Sequence, residues 1–318
     1  MINHLDCTFR DGGYYNKWDF PLDIVQNYLD SMAAINVSHV ELGFRFIQHD
    51  EYLGPFAFTK NDFIKNFVLP KKIKAGVMIN ASDLLKHRTV LENLNILFPS
   101  DSNNSFVNFV RIACHINEIE KIVDAIPFLK NLGFIVCVNL MQISDRSDTE
   151  ILEVLYGLKN YPLDVFYIAD STGSMDTDRT KKVIKLIKKN IACELGIHAH
   201  NNLELALSNT LQAVKYGCNW VDSTITGMGR GPGNAQTELL AVETNRLNNN
   251  TSFNFSNLLC LIDSYFAPIK NQYGWGTNYY YYLGGKKGIH PTYIQTMIED
   301  NRYSPSDIIP IIQRLSLL

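Results

Sequence analysis

Two histidines one residue apart, in Gly196-Ile-His-Ala-His-Asn-Asn, are the clearest chemical signal in the chain. On a strand, residues i and i+2 face the same way, so His198 and His200 would stand side by side. Two imidazoles on one face make a metal clamp, although a pair of hydrogen-bonded histidines at a strand end would read the same way. A second signal lies in Asp6-Cys-Thr-Phe-Arg-Asp-Gly-Gly, where an apolar stretch carries Arg10 and Asp11 into what reads as a glycine turn that exposes both. A third is Gly227-Met-Gly-Arg-Gly-Pro-Gly-Asn, glycine-dense and opening into a helix. It matches neither Gly-x-Gly-x-x-Gly nor a Gly-Lys-Ser/Thr ending, so a phosphate cradle is set aside and the loop is read as a mobile flap delivering Arg230 and Asn234.

Together these residues offer one carboxylate, two imidazoles and one amide oxygen, with no thiolate. Mixed oxygen and nitrogen donors suit Mg²⁺ or Mn²⁺ better than Zn²⁺. Such an ion would polarise the carbonyl of a 2-keto acid and stabilise its enolate. Arg10 beside it would hold positive charge where the enolate oxygen develops. That is the chemistry of making or breaking a carbon–carbon bond.

What must position these groups is visible in the hydrophobic pattern. Short apolar runs fit for buried parallel strands begin near residues 2, 37, 73, 105, 134, 164, 194 and 219, and helical periodicity fills the gaps, as in Asn117 to Gly133. Eight strand–helix units without a break in composition favour a closed α/β barrel, the (β/α)8 or TIM barrel, over an open doubly wound sheet. The expected division is a barrel over residues 1–250 and a small C-terminal helical subdomain over 251–318, which covers the barrel or a subunit interface. Its aromatic cluster, Tyr279-Tyr-Tyr-Tyr-Leu-Gly-Gly, suits that covering role.

Composition narrows the classes further. Of the 318 residues 46% are hydrophobic and 19% charged, enough for a large core and too little charge for disorder. A net charge of −3 gives no basic footprint for nucleic acid or an acidic membrane, which leaves small molecules as the expected partners. The first residues do not read as a secretory leader, no stretch reads as a membrane span, and the six cysteines lack any Cys-x-x-Cys pair. A cytoplasmic protein with reduced cysteines is the expectation.

With Arg10-Asp11, Glu41 in Val40-Glu-Leu-Gly-Phe, and His198/His200 on the page, the chain resembles the DRE-TIM metallolyase superfamily. The loop from His198 to Glu238 is most similar to that of its pyruvate-type aldolases. The resemblance covers most of residues 1–245. It implies a lyase acting on a 2-keto acid and an aldehyde, with Asp11, His198 and His200 as metal ligands and Asn234 as a ligand or near-ligand. It further implies Arg10 as the enolate stabiliser, Glu41 as a carboxylate that orients Arg10 or a metal ligand, and Asp170 and Ser171 as contacts to the substrate carboxylate. By the same resemblance a homodimer is the default, and some relatives pass their aldehyde to an aldehyde dehydrogenase.

Departures from the pattern bear on mechanism. Where the bacterial pyruvate aldolases have a catalytic histidine, three residues after the metal aspartate, this chain has Tyr14, which would serve as base or orient substrate. The reactive cysteine of the hydroxymethylglutaryl-CoA lyases is absent between Cys218 and Cys260. His290, in Gly288-Ile-His-Pro, is a further candidate base that resembles a segment of the family's acyl-CoA synthases, or else a plain helix-start residue before Pro291. His115 is a third. The competing functions are a Claisen-type synthase joining an acyl-CoA to a 2-keto acid, and a non-catalytic relic serving as an interaction module.

Overall fold

The computed structural model describes residues 1–99, 106–300 and 302–315. Eight parallel strands close in chain order: β1 (Asn3–Asp6), β2 (His39–Phe44), β3 (Lys74–Asn80), β4 (Phe109–Cys114), β5 (Ile135–Leu140), β6 (Val165–Asp170), β7 (Glu194–Ala199) and β8 (Trp220–Ser223). The barrel expected from the pattern is therefore present. Residue 105, the expected start of the fourth run, lies outside the described residues.

Closure is made by β1 and β8, which pair from Asn3↔Trp220 to Asp6↔Ser223. Leu5, Cys7, Phe109, Cys137, Val165, Tyr167 and Trp220 fill the barrel interior, while a larger apolar layer lies between strands and helices. Side-chain parity sorts the two, since alternate residues of a strand face opposite ways. The surrounding helices begin where the sequence supplies caps: Thr89 and Ser147 each form a reciprocal capping box, with Glu92 and Glu150.

Three local expectations change. The periodic stretch from Asn117 to Gly133 is not one helix: it breaks into short turns and the helix Ala125–Asn131, because Pro127 cannot serve a continuous hydrogen-bond ladder. Arg10 and Asp11 lie in a helical turn, Thr8–Asp11, and Gly12 keeps ordinary helical angles (φ −68°, ψ −23°). Gly12 is needed for close approach, since a Cβ there would collide with the Met228 side chain and the Thr8 carbonyl. The loop after β8 is pinned, not a loose flap: isolated bridges join His200 to Asn234 and Thr224 to Gln236, and Asn201 N donates to Gly233 O at 2.8 Å.

The C-terminal region is helical. Helix Ser256–Leu261 packs on helix Asp23–Ala34, and Leu258, Leu261, Phe266 and Trp275 join the main core. A separate cluster, including Tyr280, Tyr281, Ile289, Ile294 and Ile312, begins only after that. No helix among the described residues is long and apolar enough to cross a membrane.

Candidate functional site

Reactive groups gather at the carboxyl ends of barrel strands, and a cavity of about 420 Å³ opens there. Asp11 follows β1, and His198 and His200 lie on and just after β7, which parity turns inward together. One ligand atom from each of the three comes within 4.8 Å of the others. Asp11 and His198 are buried.

The imidazoles are oriented from behind. His198 Nδ1 stands 3.0 Å from Asp222 Oδ2, and His200 Nδ1 stands 3.1 Å from the Ser171 carbonyl oxygen. Since a carbonyl and a carboxylate only accept, each Nδ1 carries a proton, which leaves the lone pair of neutral His200 on Nε2. His198 Nε2 lies 3.4 Å from Asp11 Oδ2. Asn234 Nδ2 also touches Asp11, while its amide oxygen is buried without a partner.

Charge is balanced around this point by a closed ring of ion pairs. Arg10 meets Asp11 at 2.6 Å and Glu41 at 2.6 Å; Arg111 meets Glu41 at 3.5 Å and Asp222 at 2.8 Å; Asp222 and Asp11 flank His198. Burial resists charge on Asp11, yet Arg10 and then His198 hold its carboxyl well below the usual range. Burial likewise opposes His198 protonation, but its bonds to Asp11 and Asp222 outweigh it and raise its pKa. His200 is driven down to about 3, by burial and then by His198, so it is neutral at physiological pH.

The donor set fits a divalent cation. A carboxylate and two imidazoles bring ligand atoms within 4.8 Å of one another, with the Asn234 amide beside Asp11, and such mixed oxygen and nitrogen donors suit Mg²⁺, Mn²⁺ or Zn²⁺. Cys7, His198 and Asp222 form a second cluster within 4.8 Å. It is the poorer one, because Arg111 already neutralises Asp222 and burial pushes the Cys7 thiol up.

Most other expected residues meet at the same cavity. Arg10, Tyr14, His115, Ser171, Arg230 and His290 all line it. The Arg230 guanidinium lies over the Tyr14 ring, 4.0 Å from its centre, and a nitrogen of it is 3.4 Å from Thr292 Oγ1. His290 caps the helix Pro291–Glu299 by accepting from Thr292 N at 3.3 Å through Nδ1. Both readings of His290 thus coexist: it caps a helix and lines the cavity. Glu41 sits beneath, against Arg10 and Arg111.

Asp170 is different. It does not line the cavity; its carboxylate accepts from Ser174 N (3.1 Å) and Met175 N (3.2 Å), and burial lifts its pKa to about 7. It shapes the loop after β6 while Ala169 and Ser171, one residue to either side, face inward. Two residues not singled out beforehand, Arg111 and Asp222, complete the charge ring. The available signal was a single charge inside an otherwise apolar strand, Phe-Val-Arg-Ile-Ala-Cys and Trp-Val-Asp-Ser.

Comparison with known proteins agrees with this geometry. The chain is 33% identical over 274 residues to a 4-hydroxy-2-oxovalerate aldolase of Geobacillus thermodenitrificans, covering 83% of this chain and 75% of the relative. A relative of the same name from Brevibacillus brevis is 32% identical over 272 residues, covering 83% and 76%. The crystal structure of the N-terminal domain of a proposed aldolase from Bacteroides vulgatus superposes with a TM-score of 0.84 at 31% identity, over 98% of this chain and 100% of that one. Hydroxymethylglutaryl-CoA lyase from Pseudomonas aeruginosa shares the fold, with a TM-score of 0.65 at 15% identity over 84% and 93%. Since the HMGL-like family also matches residues 1–263, barrel and site included, the chain belongs to the HMGL-like family, whose members include DRE-TIM metallolyases.

Proposed function

We propose that the chain is a divalent-metal-dependent aldolase that cleaves or forms the C3–C4 bond of a 4-hydroxy-2-keto acid, with pyruvate or a near relative on one side and an aldehyde on the other. The observation that carries this reading is the meeting of Asp11, His198 and His200 in a cavity that Arg10 also lines. In the proposal these three hold Mg²⁺ or Mn²⁺, with Zn²⁺ less favoured, and Asn234 stands beside them. When bound, the cation supplies Lewis acidity at the keto-acid carbonyl.

The chain's own residues do the rest. Arg10, fixed by Glu41 and Asp11, keeps a buried Nη2 donor without a protein partner, available to the oxygen on which enolate charge grows. Ser171 Oγ accepts from Gln142 N at 3.1 Å and so retains its own proton for the substrate carboxylate. Asp170 supports that contact through its loop. Arg230, held over Tyr14, adds positive charge at the cavity mouth.

In the cleavage direction the C4 hydroxyl loses its proton, the C3–C4 electron pair passes into the enolate, and C3 gains a proton. Tyr14 and His290 are the proposed carriers. Because His290 Nδ1 accepts a bond, its proton lies on Nε2, which suits it to donate. Residues 1–250 are proposed as the catalytic body, with 251–318 as its cover. A cytoplasmic setting is proposed because all six cysteines are unpaired.

The test is deuterium uptake into the pyruvate methyl group in D₂O with Mn²⁺, which needs enolisation and no aldehyde. Metal-dependent exchange is expected. Its absence with Mn²⁺, Mg²⁺ and Zn²⁺ would refute the proposal.

A further inference from the structure

Strand parity sends a deep and a shallow residue from each of β3 to β7 into the cavity. At the deep level Ala113 from β4, Asn139 from β5 and Ala169 from β6 all line it. Asn139 is 4% exposed, and its amide oxygen has no hydrogen-bond partner. A buried carbonyl oxygen without a donor is both unfavourable and uncommon. Small alanines flank it on the cavity wall, so no bulky neighbour stands between its side chain and a ligand there.

Its position fixes which part of a substrate it would meet. In a closed eight-strand barrel β5 lies across from β1, the strand that leads into Arg10 and Asp11. A keto acid held at Arg10, Asp11 and the two histidines shares the cavity with the β3–β5 wall. That wall carries the hydrogen-bonding groups of Asn80, His115 and Gln142 besides Asn139, set among Met78, Ala113 and Met141. An alkyl aldehyde would strip water from them and return nothing, whereas an aldehyde bearing hydroxyls would replace it.

We infer that the acceptor is a hydroxylated aldehyde, and that Asn139 is a specificity residue that accepts a hydrogen bond from one of its hydroxyls. This rests on the aldolase reading above. Condensation adds pyruvate C3 to the aldehyde carbon, and the aldehyde oxygen gains a proton as C3 loses one, with nothing else consumed.

The experiment compares glyceraldehyde with propionaldehyde, which have equal carbon counts, as partners for pyruvate with Mn²⁺ and the whole chain. Each condensation rate is divided by the same variant's pyruvate exchange rate, which removes any loss of folded or metal-loaded protein. The wild type is expected to favour glyceraldehyde by tenfold or more in kcat/KM, and Asn139→Leu to lower that preference at least tenfold. Should Asn139→Leu fail to fold, Asn139→Ala makes the same comparison. A wild-type preference for propionaldehyde, or an unchanged ratio in the folded variant, overturns the inference while exchange persists. No exchange in the wild type overturns the aldolase reading and this inference together.

Discussion

The barrel wall has a buried polar cluster on each face, and the two clusters obey opposite rules. Inside the barrel, Arg10, Asp11, Glu41, Arg111, Asp222 and His198 form a ring of charges, and Arg10 Nη2, Glu41 Oε1, Asp222 Oδ1 and the nearby Asn234 Oδ1 have no hydrogen-bond partner. Arg111 meets its carboxylates as ion pairs without aligned hydrogen bonds and lies 4.2 Å from the centre of the Tyr167 ring. Outside, the groups form a hydroxyl relay. Tyr28 donates to Asp6 at 2.6 Å, Thr237 also bonds Asp6, and Ser223 bridges Thr237 (2.7 Å) to His4 (2.6 Å). None of these side chains has a buried polar atom left over. Polar burial that serves architecture closes its own bonds, whereas polar burial that serves chemistry leaves some open for a ligand.

Substitutions can break that comparison. The largest effect is expected inside: Asp11→Ala or His200→Ala should lower pyruvate deuterium exchange by at least about 10³-fold, the several kcal/mol a Lewis acid supplies. Both should also lose the rise in Tm that Mn²⁺ gives the wild type by binding the native state. Full exchange in either variant would remove the metal assignment. Next, Arg111→Met strands Asp222 and Glu41 in the interior and should cost about 3–5 kcal/mol in urea unfolding. A loss below about 1 kcal/mol would mean the ring is not held by charge.

Acid should act on the outer relay. Burial drives His4 from 6.5 down to about 3, so the fold favours its neutral form. A depressed histidine adds stability above its unfolded pKa and loses it as pH falls, here between about 6.5 and 3, by on the order of a few kcal/mol. Asp6, pushed upward by burial, has the opposite sign and offsets part of this. His4→Gln should flatten the decline measured by denaturant melts across that window; an unchanged slope would assign it to other groups. The smallest effect is expected from Thr237→Val, about 1–2 kcal/mol from the two bonds it removes, to Asp6 and Ser223, with exchange at the wild-type rate.

The barrel was legible because short apolar strands and periodic helices repeat at a regular interval, and the meeting of His198 and His200 because alternate residues on a strand must face one way. Other features were hidden by rules acting at longer range. Gly12 reads locally as a turn residue, yet its need comes from Met228, more than two hundred positions away in sequence. The resemblance pairs Asp170 with Ser171, though the parity that explains His198 and His200 puts consecutive residues on opposite faces. Arg111 and Asp222 sit on different strands, and only closure of the sheet shows that each is the other's counterion.

The three donors that converge at the barrel mouth come from position 11 and from positions 198 and 200. In the proposed site, a growing polypeptide emerging from the ribosome therefore cannot complete the ligand set until residue 200 has been made. Loading then becomes a late checkpoint, and ion occupancy would report finished assembly as much as catalytic readiness.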